Sequence, residues 1–467
     1  MHVELHNVWA YVTNTTRAER IWLDGYTSCE APVFRMPDEV YRMLDQSCGQ
    51  LRFPAGLALR MRSAAKRDGI SATIVDRRVA PCTPDLDPAL LSWLRPYQVD
   101  AVLAVARKGG RGLIKVPTGG GKTEIFIGLT RVLPCEWLFV VHRADLVKQA
   151  ADRYLMRTGE SAGTWTGHWT KGTSNVNVAT FQSLYSALRK KDPAVKQFLA
   201  AMQAVNVDEA HAQPAASFYS VAMQLSSAYY RVGQSGTPMV RSDVASMRTI
   251  AALGPMLYEL PTATLIDAGV LASAHVKMLA YTHPIRQVSP EWPELYRSGI
   301  VHNQTRNELI IDMITAAAKP CLVFVDERAH GDWLVNAATR AGWRVGFAQG
   351  EDPVSVRTSK LAALGAGELD VLVCTVIFQE GIDLPSLASV VVAAGKSSAV
   401  ATLQRIGRGM RRAAGKVHFE VWDVLDIGGV LGNHARTRRR TYDAEGHAVT
   451  VCTPKEIRKH CAIPAQL

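Results

Sequence analysis

The sequence has no Cys-x-x-Cys pair, and its eight cysteines are scattered at 29, 48, 82, 135, 321, 374, 452 and 461. That excludes a disulfide-stapled miniprotein. Most of the thiols lie in apolar surroundings such as VLVCTV and read as reduced and buried; Cys452, His460 and Cys461 fit no common zinc spacing. Long apolar runs are missing as well, since the longest, Val371 to Phe378, is far below the ~20 residues of a membrane span. The first residues, MHVELHNVWAYVTNTTR, put acids and amides where a signal peptide needs an unbroken apolar stretch. No membrane partner and a cytoplasmic location are therefore expected. Acidic residues are also in short supply, 42 against 53 Lys plus Arg, for a formal charge of +11. The excess suits a polyanionic partner. At 467 residues and 48% apolar, the chain has room for two large domains and a smaller one.

From about residue 91 to 430, short β-branched or apolar runs alternate with helix-period segments, the pattern of parallel sheets covered by helices. GLIKV, WLFVV, VNVAT, AVNVDEA and YRVGQSG read as buried strands in the first half, and CLVFV, WRVGFAQ, LDVLVCT, SVVVA and VHFEVWDV in the second. Two α/β domains in tandem follow, at 89–262 and 263–430, joined through Pro261 to Ser273. Residues 1–88 form a separate small α+β unit, with strands near Val8–Val12 and Ile70–Val75, a helix from Pro37 to about Asp45, and the Pro-rich breaker APCTPDLDP at its end. A chain beginning near Asp87 keeps every motif described below and is expected to fold. Residues 431–467, with 7 basic against 3 acidic side chains and the run Arg438, Arg439, Arg440, read as a basic tail, either solvated or contacting phosphate.

The strongest local signal is Pro117-Thr118-Gly119-Gly120-Gly121-Lys122-Thr123, after a strand and before a helix. Glycines let backbone N–H groups turn inward around phosphate oxygens, and the helix adds its positive N-terminal end. Lys122 then meets the terminal phosphates, and the Thr123 hydroxyl can ligate Mg2+. Farther on, Val207-Asp208-Glu209-Ala210-His211 closes an apolar strand. A carboxylate at a strand's C-terminal end can hold the metal bridging the phosphates, and its neighbour can orient and deprotonate the attacking water. Asp208 and Glu209 fit those two tasks.

With these motifs in place, residues 93 to 442 resemble a superfamily-two helicase of the DEAH-box type, in the family's motif order. The resemblance implies two RecA-like lobes and ATP hydrolysis with Mg2+. It assigns adenine recognition to Arg95 and Gln98 and catalysis to Lys122, Asp208, Glu209 and His211, with Arg408 and Arg411 as arginine fingers from QRIGRGMR. Nucleotide and strand contacts fall to Gly381 and Asp383. Backbone tracking falls to Arg143, Thr180, Gln182, Ser183, Thr375 and Gln379, and coupling of hydrolysis to strand movement to Ser235, Thr237 and Gln404. Leu265–Leu271, Thr305–Ile310 and Asp423–Tyr442, with His434, Arg438 and Tyr442, look more like the branch containing phage UvsW, bacterial RadD and XPB.

The implied function is an ATP-dependent motor on single-stranded, forked or branched DNA, with replication or recombination proteins as possible partners. A restriction or nuclease motor subunit, an RNA helicase and a non-hydrolysing binding module are the alternatives. In the first of these, nuclease activity would have to come from a partner.

Overall fold

The β-branched runs of the middle of the chain become strands with no exposed face. In the computed structural model, which describes residues 1–30, 40–210, 215–236, 244–283, 291–375, 384, 386–398 and 418–461, Trp137–Val141, Val176–Thr180 and Cys321–Val325 are buried at every position. Such strands belong inside parallel sheets covered on both faces. The chain divides into two compact units, one of residues 1–117 and 121–260, the other of 261–467 with 118–120.

In the first unit eight strands run in the order Trp169–Thr170, Gly163–Trp165, Val176–Thr180, Trp137–Val141, Ala204–Val207, Tyr230–Ser235, Arg111–Lys115 and Met256–Glu259. All pair in parallel except the edge hairpin strand Trp169–Thr170. The phosphate-loop helix, Lys122–Val132, follows the strand Arg111–Lys115.

The second unit has seven parallel strands, in the order Val345–Ala348, Val371–Thr375, Cys321–Val325, Ser389–Val392, His418–Ile427, Ser273–Thr282 and Ala448–Cys452. Residues expected as a basic tail are built into this unit. Gly429–Ala444 is a helix in which Arg438 is fully buried, Ala448–Cys452 is the sheet's edge strand, and Pro454–Cys461 packs back with Ile457 buried. The physical reason is pairing: Arg438 meets the carboxylate of Asp423, so its charge needs neither water nor phosphate.

The amino-terminal residues form a four-stranded sheet in the order Leu51–Pro54, Trp9–Thr13, His2–Leu5, Thr73–Asp76. The helix expected from Pro37 to Asp45 is corrected where the residues are described: Val40–Arg42 is a strand paired with Ser28–Glu30. The helices are Arg17–Tyr26 and Ala58–Arg67. The first carries a capping box that the sequence displays, Thr16 accepting from Glu19 N at 3.2 Å while Thr16 N donates to Glu19 at 2.8 Å. Trp9 lies under the Arg52 guanidinium, and Trp22 stacks on Tyr26.

This sheet is not separate from the phosphate-loop sheet. Val3, Leu5, Ala10, Val12, Phe53 and Met61 share one continuous core with Phe218, Val221 and Ile250–Leu253. At Gly56 a Cβ would stand 2.1 Å from the Ile250 carbonyl oxygen, so only glycine permits that approach. Arg111 Nη2 donates to the Asn7 carbonyl at 2.6 Å, and Asn7 Nδ2 to that of Ser226 at 3.2 Å. This shared core argues against the expectation that a chain starting near Asp87 folds unaided. Among the described residues no helix is long and apolar enough to cross a membrane, and none of their His, Cys, Asp and Glu side chains form a metal-binding group of three.

Candidate nucleotide and nucleic-acid site

Parallel pairing brings the chemistry-bearing residues of the first unit to one edge of its sheet. Tyr230–Ser235 lies beside Arg111–Lys115 with Ser235 opposite Lys115, and Val116 N donates to Ser235 O at 3.0 Å. The buried Ser235 thus sits against the entry to the phosphate loop. On its other side that strand pairs with Ala204–Val207, whose end carries the two carboxylates.

There the backbone turns sharply. Asp208 N donates to Val140 O at 2.9 Å and Ala210 N to Gln234 O at 3.1 Å, while Glu209 between them is left-handed at φ 45°, a conformation costly for a non-glycine residue. The turn carries Glu209 to Lys122, whose Nζ stands 2.5 Å from Glu209 Oε1. Burial pushes the Asp208 carboxyl up to about 6, Lys122 opposing the rise and Glu209 adding to it.

The adenine-side expectation has a geometric counterpart. Gln98 is buried, and its Oε1 accepts from Arg95 N at 2.9 Å. Gly121 caps the loop helix at φ 83°, and a Cβ there would lie 2.3 Å from Gln98 Nε2. Gln98 therefore packs directly beneath the end of the phosphate loop.

Sequence reasoning missed Glu124. In the first turn of the loop helix, it accepts from Trp93 Nε1 at 3.1 Å, from Arg153 Nε at 2.5 Å and from Arg157 Nε at 3.0 Å. It ties the segment leading into Arg95 and Gln98 to the loop helix and to the helix Ala144–Thr158. The available signal was an acidic residue in the first turn of a helix.

Four of the residues assigned to strand tracking, Arg143, Thr180, Gln182 and Ser183, follow neighbouring parallel strands at that same end of the first sheet. Arg143 pairs with Asp145, Nε to Oδ1 at 3.0 Å. Gln182 Nε2 donates to His142 O at 2.9 Å, and Thr180 caps the helix Phe181–Arg189 by accepting from Ser183 N at 3.2 Å. In the second unit Thr375 closes the strand Val371–Thr375 with its Oγ1 buried. His211, Thr237, Gln379, Gly381, Asp383, Gln404, Arg408 and Arg411 lie outside the described residues.

Residues that set the branch resemblance prove to be internal struts of the second unit. Arg306 donates to both Asp426 oxygens, at 2.9 and 3.2 Å, and to Ala393 O at 2.9 Å. On the opposite face of the same strand, Arg438 donates to Asp423 at 2.8 and 2.9 Å, and Tyr442 Oη to Asp423 Oδ2 at 2.7 Å. Asn307 is held by Val301 O and meets His330 Nε2 at 3.0 Å.

Two domain families match the chain: the res subunit of type III restriction enzymes over residues 92–240, and the helicase conserved C-terminal domain over 305–413. These matches relate the chain to the helicases of superfamily two. It is 25% identical over 366 residues to putative helicase 22 of a Sulfolobus islandicus filamentous virus, covering 71% of this chain and 64% of that protein. To the ATP-dependent DNA helicase uvsW of Enterobacteria phage T4 it is 23% identical, covering 74% and 70%. To the putative DNA 3'-5' helicase Rad25 of Halobacterium salinarum it is 29% identical, covering 76% and 58%. The chain thus spans 58% to 70% of the length of these relatives. Its fold is similar to a fragment of a putative HsdR subunit of a type I restriction enzyme from Vibrio vulnificus, at TM-score 0.56 and 19% identity, covering 90% of this chain and 79% of that one.

Proposed function

We propose that the protein is an ATP-driven DNA helicase or translocase of the DEAH-box type, acting on single-stranded, forked or branched DNA in recombination, repair or replication. The observation that carries this reading is the 2.5 Å pair between Lys122 and Glu209 beside Asp208. The loop lysine and the candidate base, far apart in sequence, meet where a terminal phosphate would be bound. While they are paired, each neutralises the other. A terminal phosphate competes for Lys122, so ATP arrival frees Glu209 to orient and deprotonate the attacking water.

The Thr123 hydroxyl and the Asp208 carboxylate are hard oxygen donors, a set that suits Mg2+. Bound there, the ion offsets charge on the β- and γ-phosphates. Arg408 and Arg411 complete the site in this reading; an arginine supplied to a phosphoryl-transfer site is worth about 10³ to 10⁵ in turnover. DNA as the track is supported by the basic excess and by relatives named as DNA helicases.

Glu209→Gln tests the assignment, because it keeps shape and the Asp208 oxygen while removing the base. ATP binding, read by a fluorescent nucleotide, should be retained, and DNA-stimulated hydrolysis should fall by at least about 10². Turnover like the wild type would overturn the reading. A second reading, the motor of a restriction or nuclease complex, is favoured by the restriction-type family match and the HsdR-like fold. ATPase stimulated by intact duplex, with no separation of forked strands, would support it; comparison with RNA strands tests the RNA alternative.

A further inference from the structure

The edge hairpin of the first sheet has no role in the site described above, yet it is joined to it. Gly163–Trp165 pairs with Val176–Thr180 in parallel, and Trp169–Thr170 folds back on it with Trp169 opposite Trp165. Ser183 Oγ lies 3.1 Å from the Trp165 carbonyl oxygen. Trp165 is thus flanked by Trp169 on one side and by a tracking-segment residue on the other. Because the strands are parallel, the hairpin turn 166–168 emerges at the same end of the sheet as Thr180 and the Asp208 turn.

The side chains at the tip are unusual for an edge. Thr166 through Lys171 are all exposed, and Trp169 retains 47% of its surface. No other Trp or Phe of the described residues is left so open. The ring is held, not loose: Nε1 lies 3.3 Å from Asn177 Oδ1, and Phe198 stands behind it at 6.1 Å between ring centroids. His168 and Lys171 beside it have no ion-pair partner among the described residues. A fixed aromatic face beside the Lys171 ammonium matches an unstacked base and its phosphate.

We infer that this hairpin is a base-stacking finger, on which Trp169 holds one base of the strand whose backbone runs along Arg143, Thr180 and Gln182. The inference rests on the DNA-motor reading and adds to it a contact that senses bases. Backbone contacts alone cannot tell a base-bearing strand from an abasic one. Stacking can.

The experiment measures ATPase against increasing concentrations of oligo-dT and of an abasic strand of equal length. The wild type should reach half-maximal stimulation at a lower concentration of oligo-dT. Trp169→Ala should raise that concentration about tenfold for oligo-dT and leave the abasic strand unchanged, with unstimulated ATPase intact; Trp169→Phe should restore the difference. Equal behaviour of Trp169→Ala and wild type on both strands overturns the finger while leaving the motor reading standing. If neither strand stimulates the wild type, the motor reading itself falls, and the finger with it.

Discussion

Among the described residues each unit buries two arginines completely or nearly so, and the two units accommodate them in opposite ways. In the second unit Arg306 and Arg438 face carboxylates, Asp426 and Asp423. In the first, Arg231 is surrounded by carbonyl oxygens: Ala228 at 3.1 Å, Ala222 at 2.9 Å and Leu225 at 2.5 Å. Arg111 reaches the Asn7 carbonyl, and its Nε and Nη1 make no hydrogen bond within the described residues. Burial pushes both guanidinium groups of the first unit below their ordinary values, and the charge of Arg78 lowers them further. Burial opposes Arg438 in the same way, but Asp423 outweighs it and the group ends above its ordinary value. One unit uses arginine as a fork of donors that stitches chain ends together. The other uses it as a counter-charge.

The difference predicts unequal costs of disruption. The largest belongs to the seam closed by Arg111. Deleting residues 1–86 removes Asn7 from Arg111 and uncovers the core at Ile250–Leu253, so the first unit should lose its cooperative calorimetric transition. An unchanged transition would show that the shared core is dispensable.

Next comes Asp423→Ala, which strands Arg438 in the interior without its carboxylate and removes the acceptor of the Tyr442 hydroxyl. The expected loss is about 3–5 kcal/mol, read by urea denaturation. Arg231→Met should cost less, about 1–3 kcal/mol, because it leaves behind neutral carbonyls instead of an uncompensated charge. Equal losses would erase the distinction between the two units.

The last effect is a matter of pH. Burial, reinforced by the charges of Arg306 and His302, holds His330 down at about 3. An unfolded histidine takes up its proton near 6.5 while the folded one does not, so stability falls as pH drops from 6.5 toward 3, by about 1.4 kcal/mol per unit at most. Asp426 acts lower. Burial raises its carboxyl, but Arg306 and His283 outweigh that and hold it at about 2, so its contribution is present above about 3.9 and lost below. Between pH 6.5 and 4.5, His330→Gln should therefore flatten the acid loss measured by chemical denaturation. An unaltered slope would remove His330 from the account.

Periodicity and loop chemistry were legible before any coordinates. The fully apolar runs announced parallel strands, and PTGGGKT with VDEAH marked a candidate phosphate site, because a glycine-rich turn and a strand-end carboxylate pair carry their chemistry locally. Missed elements share a different cause. The helix placed at Pro37–Asp45 rested on weak local propensity, whereas the helix Arg17–Tyr26 declared itself only through its cap. Glu124 looked like any acidic residue in a first turn until three donors from distant segments converged on it.

By itself the sequence determined most of the order of strands and helices in the two parallel sheets, and the glycine-rich loop and strand-end carboxylates proposed to act on ATP, since these depend on spacing and side-chain chemistry. Tertiary structure decided where Arg438 stands, that the amino-terminal sheet shares a core with the phosphate-loop sheet, and that Lys122 reaches Glu209. Those outcomes depend on which buried charge finds which partner through space, and a linear pattern does not record it.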